Sequence, residues 1–397
     1  MRTAQLIGNL EMGGAEALAI AIANRLAAQG NESHLFVTGK PGAMSTKVDG
    51  GVHAHYLEFP PEALSNPVRH PFLFTRQFRQ LSRALRGHRV QIVQTHLPGS
   101  NFWGLLLELR GICPAIATIH NNREFDYGAS GNRVRLALRK VAYRAILKHC
   151  HQVVAVSESV RSSLLAALGN PSAYSSKIAV VANGVPIPDL MTLAQRSAAR
   201  VGLGLCDGEF FILGAGRHSP QKNFSDLVAA AELLRNSACR FRLVIAGDGE
   251  LTGDLAAQVA ALGLEQNVIL SGPLQELGKA MQAADVFVIP SLWEGVPLVL
   301  LEAMAAGLPT VGYRIPGIEE IVTHGRNGLL VEPGRPDLLA KEIRRLAQDP
   351  GLIGRLGAEA RATIQTSYNF DTLMQCLLKV YGQALNPASV PGGKGPS

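Results

Sequence analysis

The sequence predicts an α/β protein made of two doubly wound, Rossmann-like parallel-sheet domains. Three observations predict it. Short apolar, β-branched runs alternate with helical segments along nearly the whole chain. The alternation breaks near Pro186-Ile187-Pro188 and resumes at Phe210. A length of 397 residues with 47% hydrophobic content is ample for two cores.

Taken in order, Thr3 to Gly8 reads as a strand, Gly13 and Gly14 as a turn, and Ala15 to Gln29 as an Ala-rich helix. Strands are expected at Ser33 to Thr38, Val90 to Thr95, Ala115 to His120 and Gln152 to Ser157, with Ser157 as a helix N-cap. A polar, Ala-rich stretch to about Gly208 separates the halves. The second series has strands at Phe210 to Gly214, Arg242 to Ala246, Val268 to Ser271, Asp285 to Pro290, Thr310 to Tyr313 and Gly328 to Val331. The expected domains are 1–188 and 189–370, followed by an amphipathic helix over 371–386 that packs back across the join. The Pro/Gly-rich tail, 387–397, is expected to be disordered.

The five cysteines, Cys113, Cys150, Cys206, Cys239 and Cys376, are scattered, and no C-x-x-C or Cys/His spacing supports a disulfide framework or a zinc site. With no signal peptide and no apolar run long enough for a bilayer span, a reducing cytoplasm is the expected location. The net charge of +7 is unevenly placed. Arg69 to Arg89 holds six arginines and no acid, and Arg133 to Lys148 holds six Lys/Arg and no acid. Both carry apolar residues at helical spacing: Phe74, Phe78, Leu81 and Leu85 in one, Leu136, Leu138, Val141 and Ile146 in the other. They read either as ordinary surface helices or as a basic face on an anionic membrane. Nucleic acid is not expected, because stacking aromatics are missing.

The chemistry concentrates at strand ends, where open parallel sheets bind ligands. The strand ending at Pro290 leads through Ser291 to Gly295 into a helix with Pro297 near its start and Gly307 at its end. Free N–H groups at such a start form an anion site. Glu294 lies in the turn and Glu302 about one and a half turns into the helix. Carboxylates around an anion cradle suit a ligand with phosphates in the middle and hydroxyls at both ends, such as a nucleotide-sugar. Gly216-Arg217 and Lys222-Asn223 follow another strand, placing two cations beside a helix start to neutralise a diphosphate. Gly247-Asp248-Gly249 is a sharp turn of little specificity. In the first half, Gly13-Gly14-Ala15-Glu16 fails the dinucleotide fingerprint but permits close backbone approach to a phosphate or sugar. His120 ends a strand and is a candidate contact.

Together these motifs resemble glycosyltransferase family 4, retaining enzymes of the GT-B fold, in which two Rossmann-like domains face an interdomain cleft. The resemblance runs from Gly13 to about Gly334 and centres on an E-x7-E pattern, Glu294 and Glu302, with Asn183-Gly184-Val185 and Pro316-Gly317-Ile318-Glu319-Glu320 around it. It implies that Glu302 holds the nucleotide ribose and Glu294 the donor sugar. The backbone of Gly295, Val296, Pro297 and Leu298 would bind phosphate or sugar oxygens, with Gly216 and Gly13 beside the donor. Arg217 and Lys222 would stabilise the leaving diphosphate, Gly14 would approach the phosphates, and His120 would touch the sugar. The catalytic set is thus Arg217, Lys222, Glu294 and His120. Two departures are Pro186 after Asn-Gly-Val and Asn121 after His120, where Asp is frequent in the family. The implied reaction uses no metal or other cofactor. The implied donor is a UDP-sugar, with GDP as an alternative, and the acceptor is a glycan or lipid-linked sugar in polysaccharide or glycolipid assembly at the inner face of the cell membrane. A nucleotide-sugar epimerase of the same fold, or a non-catalytic membrane-associated partner, are the competing expectations.

Overall fold

The structure is a computed structural model and describes residues 1–60, 70–125, 133–169, 171–236 and 240–386. Arg69, Cys239 and the tail beyond 386 lie outside the described residues, as does the side chain of Arg133. The chain divides into two compact units, Met1–Ala182 with the C-terminal segment from Leu373, and Asn183–Thr372.

The first unit holds a seven-stranded sheet of β1 (Arg2–Ile7), β2 (Glu32–Val37), β3 (Val52–Tyr56), β4 (Ile92–His96), β5 (Ala115–Ile119), β6 (Gln152–Ala155) and β7 (Ile178–Val180), in the order β3-β2-β1-β4-β5-β6-β7. Every pairing is parallel. The second unit holds a six-stranded parallel sheet of β8 (Phe210–Ala215), β9 (Phe241–Ala246), β10 (Val268–Gly272), β11 (Val286–Ile289), β12 (Thr310–Tyr313) and β13 (Leu329–Val331), in the order β10-β9-β8-β11-β12-β13. Parallel neighbours require long crossovers, and helices supply them. The central strands are buried nearly end to end, as helices on both faces require.

Sequence patterning missed β3 and β7. β3 reads Val-His-Ala-His-Tyr, has one neighbour, and is exposed at its second and third residues, so it lacks an apolar run. β7 has only three residues. The Ser157 cap is present, its hydroxyl accepting from Val160 N at 3.1 Å.

The basic stretches form the helices Pro71–Gly87 and Arg133–His149. The first buries Leu81 and Leu85, and stacks Phe74 and Phe78 on Trp103 of the helix Leu97–Leu109. In the second, Leu138 and Val141 do not join the packed face but stand 64% and 59% exposed. The buried residues there are Tyr143, Ile146 and Leu147, and 3.6 residues per turn puts Leu138 and Val141 on the far side of them. Among the described residues, no helix is long and apolar enough to cross a membrane. Cys113, Cys150, Cys206 and Cys376 are free thiols.

Candidate functional site

Each sheet reverses its strand order beside its first strand, between β1 and β4 and between β8 and β11. Ligands of open parallel sheets bind outside the carboxyl ends at such a point. The residues singled out in the sequence lie at the two switch points.

In the second unit, β11 is fully buried and leads through the turn 290–297 into the helix Leu298–Ala305. Leu300, Leu301, Ala303, Met304 and Ala305 bury one side of that helix, which leaves Glu302 exposed. Pro297 stands at the N-cap with no side-chain cap, so capping leaves the first N–H groups unsatisfied there. Gly307, at φ +76°, ends the helix in the left-handed region.

Glu294 is only 6% exposed, and both of its oxygens are held. Lys222 Nζ donates to Oε1 at 2.6 Å, and Gln221 Nε2 donates to Oε2 at 3.2 Å. Gln221 also donates to Trp293 O at 2.9 Å, and its own carbonyl accepts from Leu292 N at 2.9 Å. The loop after β8 is thereby sewn to the turn after β11 across the switch point. The sequence reading found Lys222 and Glu294 but missed Gln221, whose type and position carry no motif signal.

The glycines explain why this loop fits. Gly216 has φ +150°, and a Cβ there would lie 3.1 Å from Lys222 Cε. A Cβ on Gly247 would sit 2.0 Å from Gly216 O, and one on Gly249 would sit 2.4 Å from His218 O. Gly247-Asp248-Gly249 therefore makes room for the backbone of residues 216–218, and His218 N donates to Asp248 O at 2.9 Å. Two further motifs brace the turn. Asn183 Nδ2 donates to Val296 O at 3.0 Å, and a Cβ on Gly317 would meet Gly295 O at 2.3 Å. Arg217 is exposed at the mouth of the same loop. The buried hydroxyl of Ser291 in this turn finds no hydrogen-bond partner among the described residues.

In the first unit, β1 leads toward Gly13, the N-cap of the helix Gly14–Ala28. A Cβ on Gly13 would lie 2.2 Å from Oε2 of the buried Glu16, so the glycine is fixed by its own helix's first turn. His120 follows β5 and His96 ends β4. Their rings meet with His120 Nε2 3.0 Å from His96 Nδ1, and His96 Nε2 lies 2.8 Å from Gln5 Oε1. Gln5 Nε2 donates to Tyr381 OH at 3.0 Å, and Tyr381 OH donates to Gln94 Oε1. Gln94 Nε2 then donates to Thr118 Oγ1 at 2.9 Å. A carbonyl oxygen only accepts, so His96 carries its proton on Nε2 and accepts from His120 Nε2–H. That leaves His120 Nδ1 as an acceptor. Burial holds His120 down to about 4 and His96 well below the usual histidine range, so both are neutral at pH 7 although the His120 residue as a whole is only half-buried. The sequence marked His120 but not Gln5, His96 or Tyr381, which fix its tautomer. Leu97, just after His96, has φ +70°, an outlying conformation for such a side chain, at the sharp entry to the helix Leu97–Leu109.

Residues 195–363 match the family described as glycosyl transferases group 1, and residues 12–187 match glycosyltransferase family 4. An uncharacterized glycosyltransferase of Methanocaldococcus jannaschii is 30% identical over 300 residues, 73% of each chain. The D-inositol 3-phosphate glycosyltransferase of Streptomyces scabiei is 28% identical over 96% of this chain and 88% of its own. Among solved structures, Anabaena HepE in complex with UDP and glucose superposes with a TM-score of 0.83 at 21% identity, covering 96% of this chain and 99% of that one. Sucrose-phosphate synthase from Thermosynechococcus elongatus gives 0.81 at 22%, covering 98% and 100%. The fold is GT-B, and the matches account for both halves of the chain. This chain belongs to the family 4 glycosyltransferases.

Proposed function

We propose that the chain moves a sugar, with retention of its anomeric configuration, from a nucleotide-diphosphate-sugar to an acceptor hydroxyl. The observation that carries this reading is the Lys222–Glu294–Gln221 cluster at the switch point of the second sheet, beside an uncapped helix start. Glu302, exposed on that helix, takes the ribose hydroxyls, and Glu294 takes the sugar. Lys222, Arg217 and the helix N–H groups face the diphosphate. The bond from the sugar's anomeric carbon to the β-phosphate oxygen breaks. The acceptor oxygen attacks on the same face, and its proton passes to the leaving diphosphate. Preplaced positive charge stabilises the growing negative charge there, typically the largest catalytic contribution. His120, an acceptor at Nδ1, suits a donor-sugar hydroxyl.

The HepE complexes with UDP and with UDP-glucose support a UDP-sugar donor, with GDP as the alternative base. The acceptor we propose is a glycan or lipid-linked sugar at the inner face of the cell membrane. Support comes from the exposed apolar residues Phe72 (91%), Leu138 and Val141, which stand among exposed Arg76, Arg79, Arg83, Arg86 and Lys148 on the two basic helices. Vesicle co-sedimentation should then require anionic lipid and fall with salt; no binding at low salt would refute it.

The reaction itself is tested by incubating the protein with a UDP-sugar, with and without acceptor mixtures that include D-inositol 3-phosphate. Free UDP released together with an α-configured product supports the proposal. Interconversion of the sugar with no acceptor would point to an epimerase instead.

A further inference from the structure

We propose that His34, His55 and His88 form a binding site for a zinc-like divalent cation. One ring nitrogen from each of the three lies within 4.8 Å of the others. Zinc–nitrogen bonds of about 2.0–2.1 Å in a tetrahedron set ligand nitrogens roughly 3.3 Å apart. His34 Nδ1 and His55 Nε2 are hydrogen-bonded to each other at 3.1 Å, a spacing that a cation replacing the shared proton would keep. Small rotations of the exposed His88 ring, which lies against His34 and His55, would close the triangle.

The fold brings these residues together from three segments. His34 is on β2, and His55 is on β3, which among the described residues has no neighbour on its outer side. His34 pairs in register with His53, and Phe36 with His55, so the alternation along each strand sets all four side chains on one face. His88 is the C-cap of the helix Pro71–Gly87. The His88 ring centroid is 4.9 Å from that of His34 and 4.6 Å from that of His55.

Two features favour a cation over simple ring stacking. His34 is 1% exposed, yet among the described residues its Nε2 finds no well-formed hydrogen bond. Glu32 Oε1 lies 3.4 Å from that nitrogen, at ion-pair range but outside hydrogen-bond geometry, and Glu32 also pairs with Arg2. A metal on Nδ1 fixes the proton on Nε2 and draws in such a carboxylate, the usual outer partner of a ligating histidine. Three imidazoles leave a fourth position for water or for His53, whose ring centroid is 5.1 Å from that of His34. The bound ion would tie the outermost strand to the helix end.

The test uses the full untagged chain, stripped with EDTA and titrated at neutral pH with Co²⁺ and then Zn²⁺. One Co²⁺ per chain, with the visible absorption of a tetrahedral nitrogen-rich site and displacement by Zn²⁺, is expected. His88→Ala removes an exposed side chain and should weaken binding by ~100-fold or more, as should His55→Gln, whereas exposed His149→Ala should bind as wild type. Zn²⁺ should raise the melting temperature of wild type but not of His88→Ala. No saturable binding at micromolar metal, or binding unchanged in both His88→Ala and His55→Gln, would overturn the proposal.

Discussion

Lys222 and Glu294 are each other's counter-charges before any ligand arrives. Because Glu294 is buried, Lys222→Ala leaves a carboxylate supported, among the described residues, only by Gln221. Breaking a buried pair from one side costs roughly 3 kcal/mol of stability. Losing a charge that stabilises the leaving diphosphate costs about a hundredfold in turnover. Urea unfolding and steady-state kinetics should show both losses in Lys222→Ala. In Lys222→Met/Glu294→Gln, removing both charges should restore stability without restoring activity. Recovery of both together would assign the pair a purely structural role. Glu124 tests burial in the first unit. Its carboxyl is pushed up to about 7 by desolvation, although the Tyr143 hydroxyl donates to it and Arg139 lies nearby. Its folded pKa stands above the ordinary 4.5, so the stability it lends is complete below that value and is lost as pH rises through 7. The change is of order 3 kcal/mol. In Glu124→Gln the urea midpoint should vary less between pH 5 and pH 8 than in wild type; an equal slope would contradict this assignment. At this scale the sequence displayed the groups with chemistry but not their holders. Gln221, Gln5 and Tyr381 have ordinary residue types and act only through contacts distant in sequence.

Among the elements, turns decide the site more than helices do. A β-carbon at Gly216 strains a backbone at φ +150° and presses on the Lys222 side chain. Gly216→Ala should therefore cut kcat/KM by roughly tenfold to a hundredfold, since an ångström of misplacement can cost about that much. The melting temperature should fall as well, since such a strained backbone costs about 1–3 kcal/mol. Undiminished kinetics would show that the Lys222 position does not matter. The strand–turn–helix from Val286 to Gly307 was legible because apolar runs, Pro297 and Gly307 have local causes. The partners of that turn were not, since Asn183 and Gly317 reach it from distant parts of the chain. Their motifs were visible as spacing, but their work as braces was visible only in three dimensions. The missed strands β3 and β7 show the same limit: an edge strand rich in histidine and a three-residue strand have no periodicity to read.

Over the whole molecule, alternation of strands and helices sufficed to give two parallel sheets, because parallel pairing forces a crossover at each step. The strand order within each sheet was not readable, and it is the order that puts a switch point beside β1 and beside β8. The C-terminal helix Phe370–Leu385 shows how far such dependence extends. Its Tyr381 joins the hydrogen-bond chain that sets the His120 tautomer, more than 370 residues from Gln5. The histidine cluster was invisible for a similar reason, since His34, His55 and His88 follow no metal-ligand spacing and meet only through β2–β3 pairing and a helix end. What the second unit binds is the point on which the rest depends. Calorimetric titration of UDP, GDP and ADP into wild type and Glu302→Ala addresses it directly, because Glu302 is exposed and its truncation spares the core. One nucleotide should bind wild type and lose at least ~100-fold in affinity in Glu302→Ala, with the melting temperature of the free protein unchanged. Equal affinity in the two proteins would contradict a ribose contact at Glu302 and the donor site built around it.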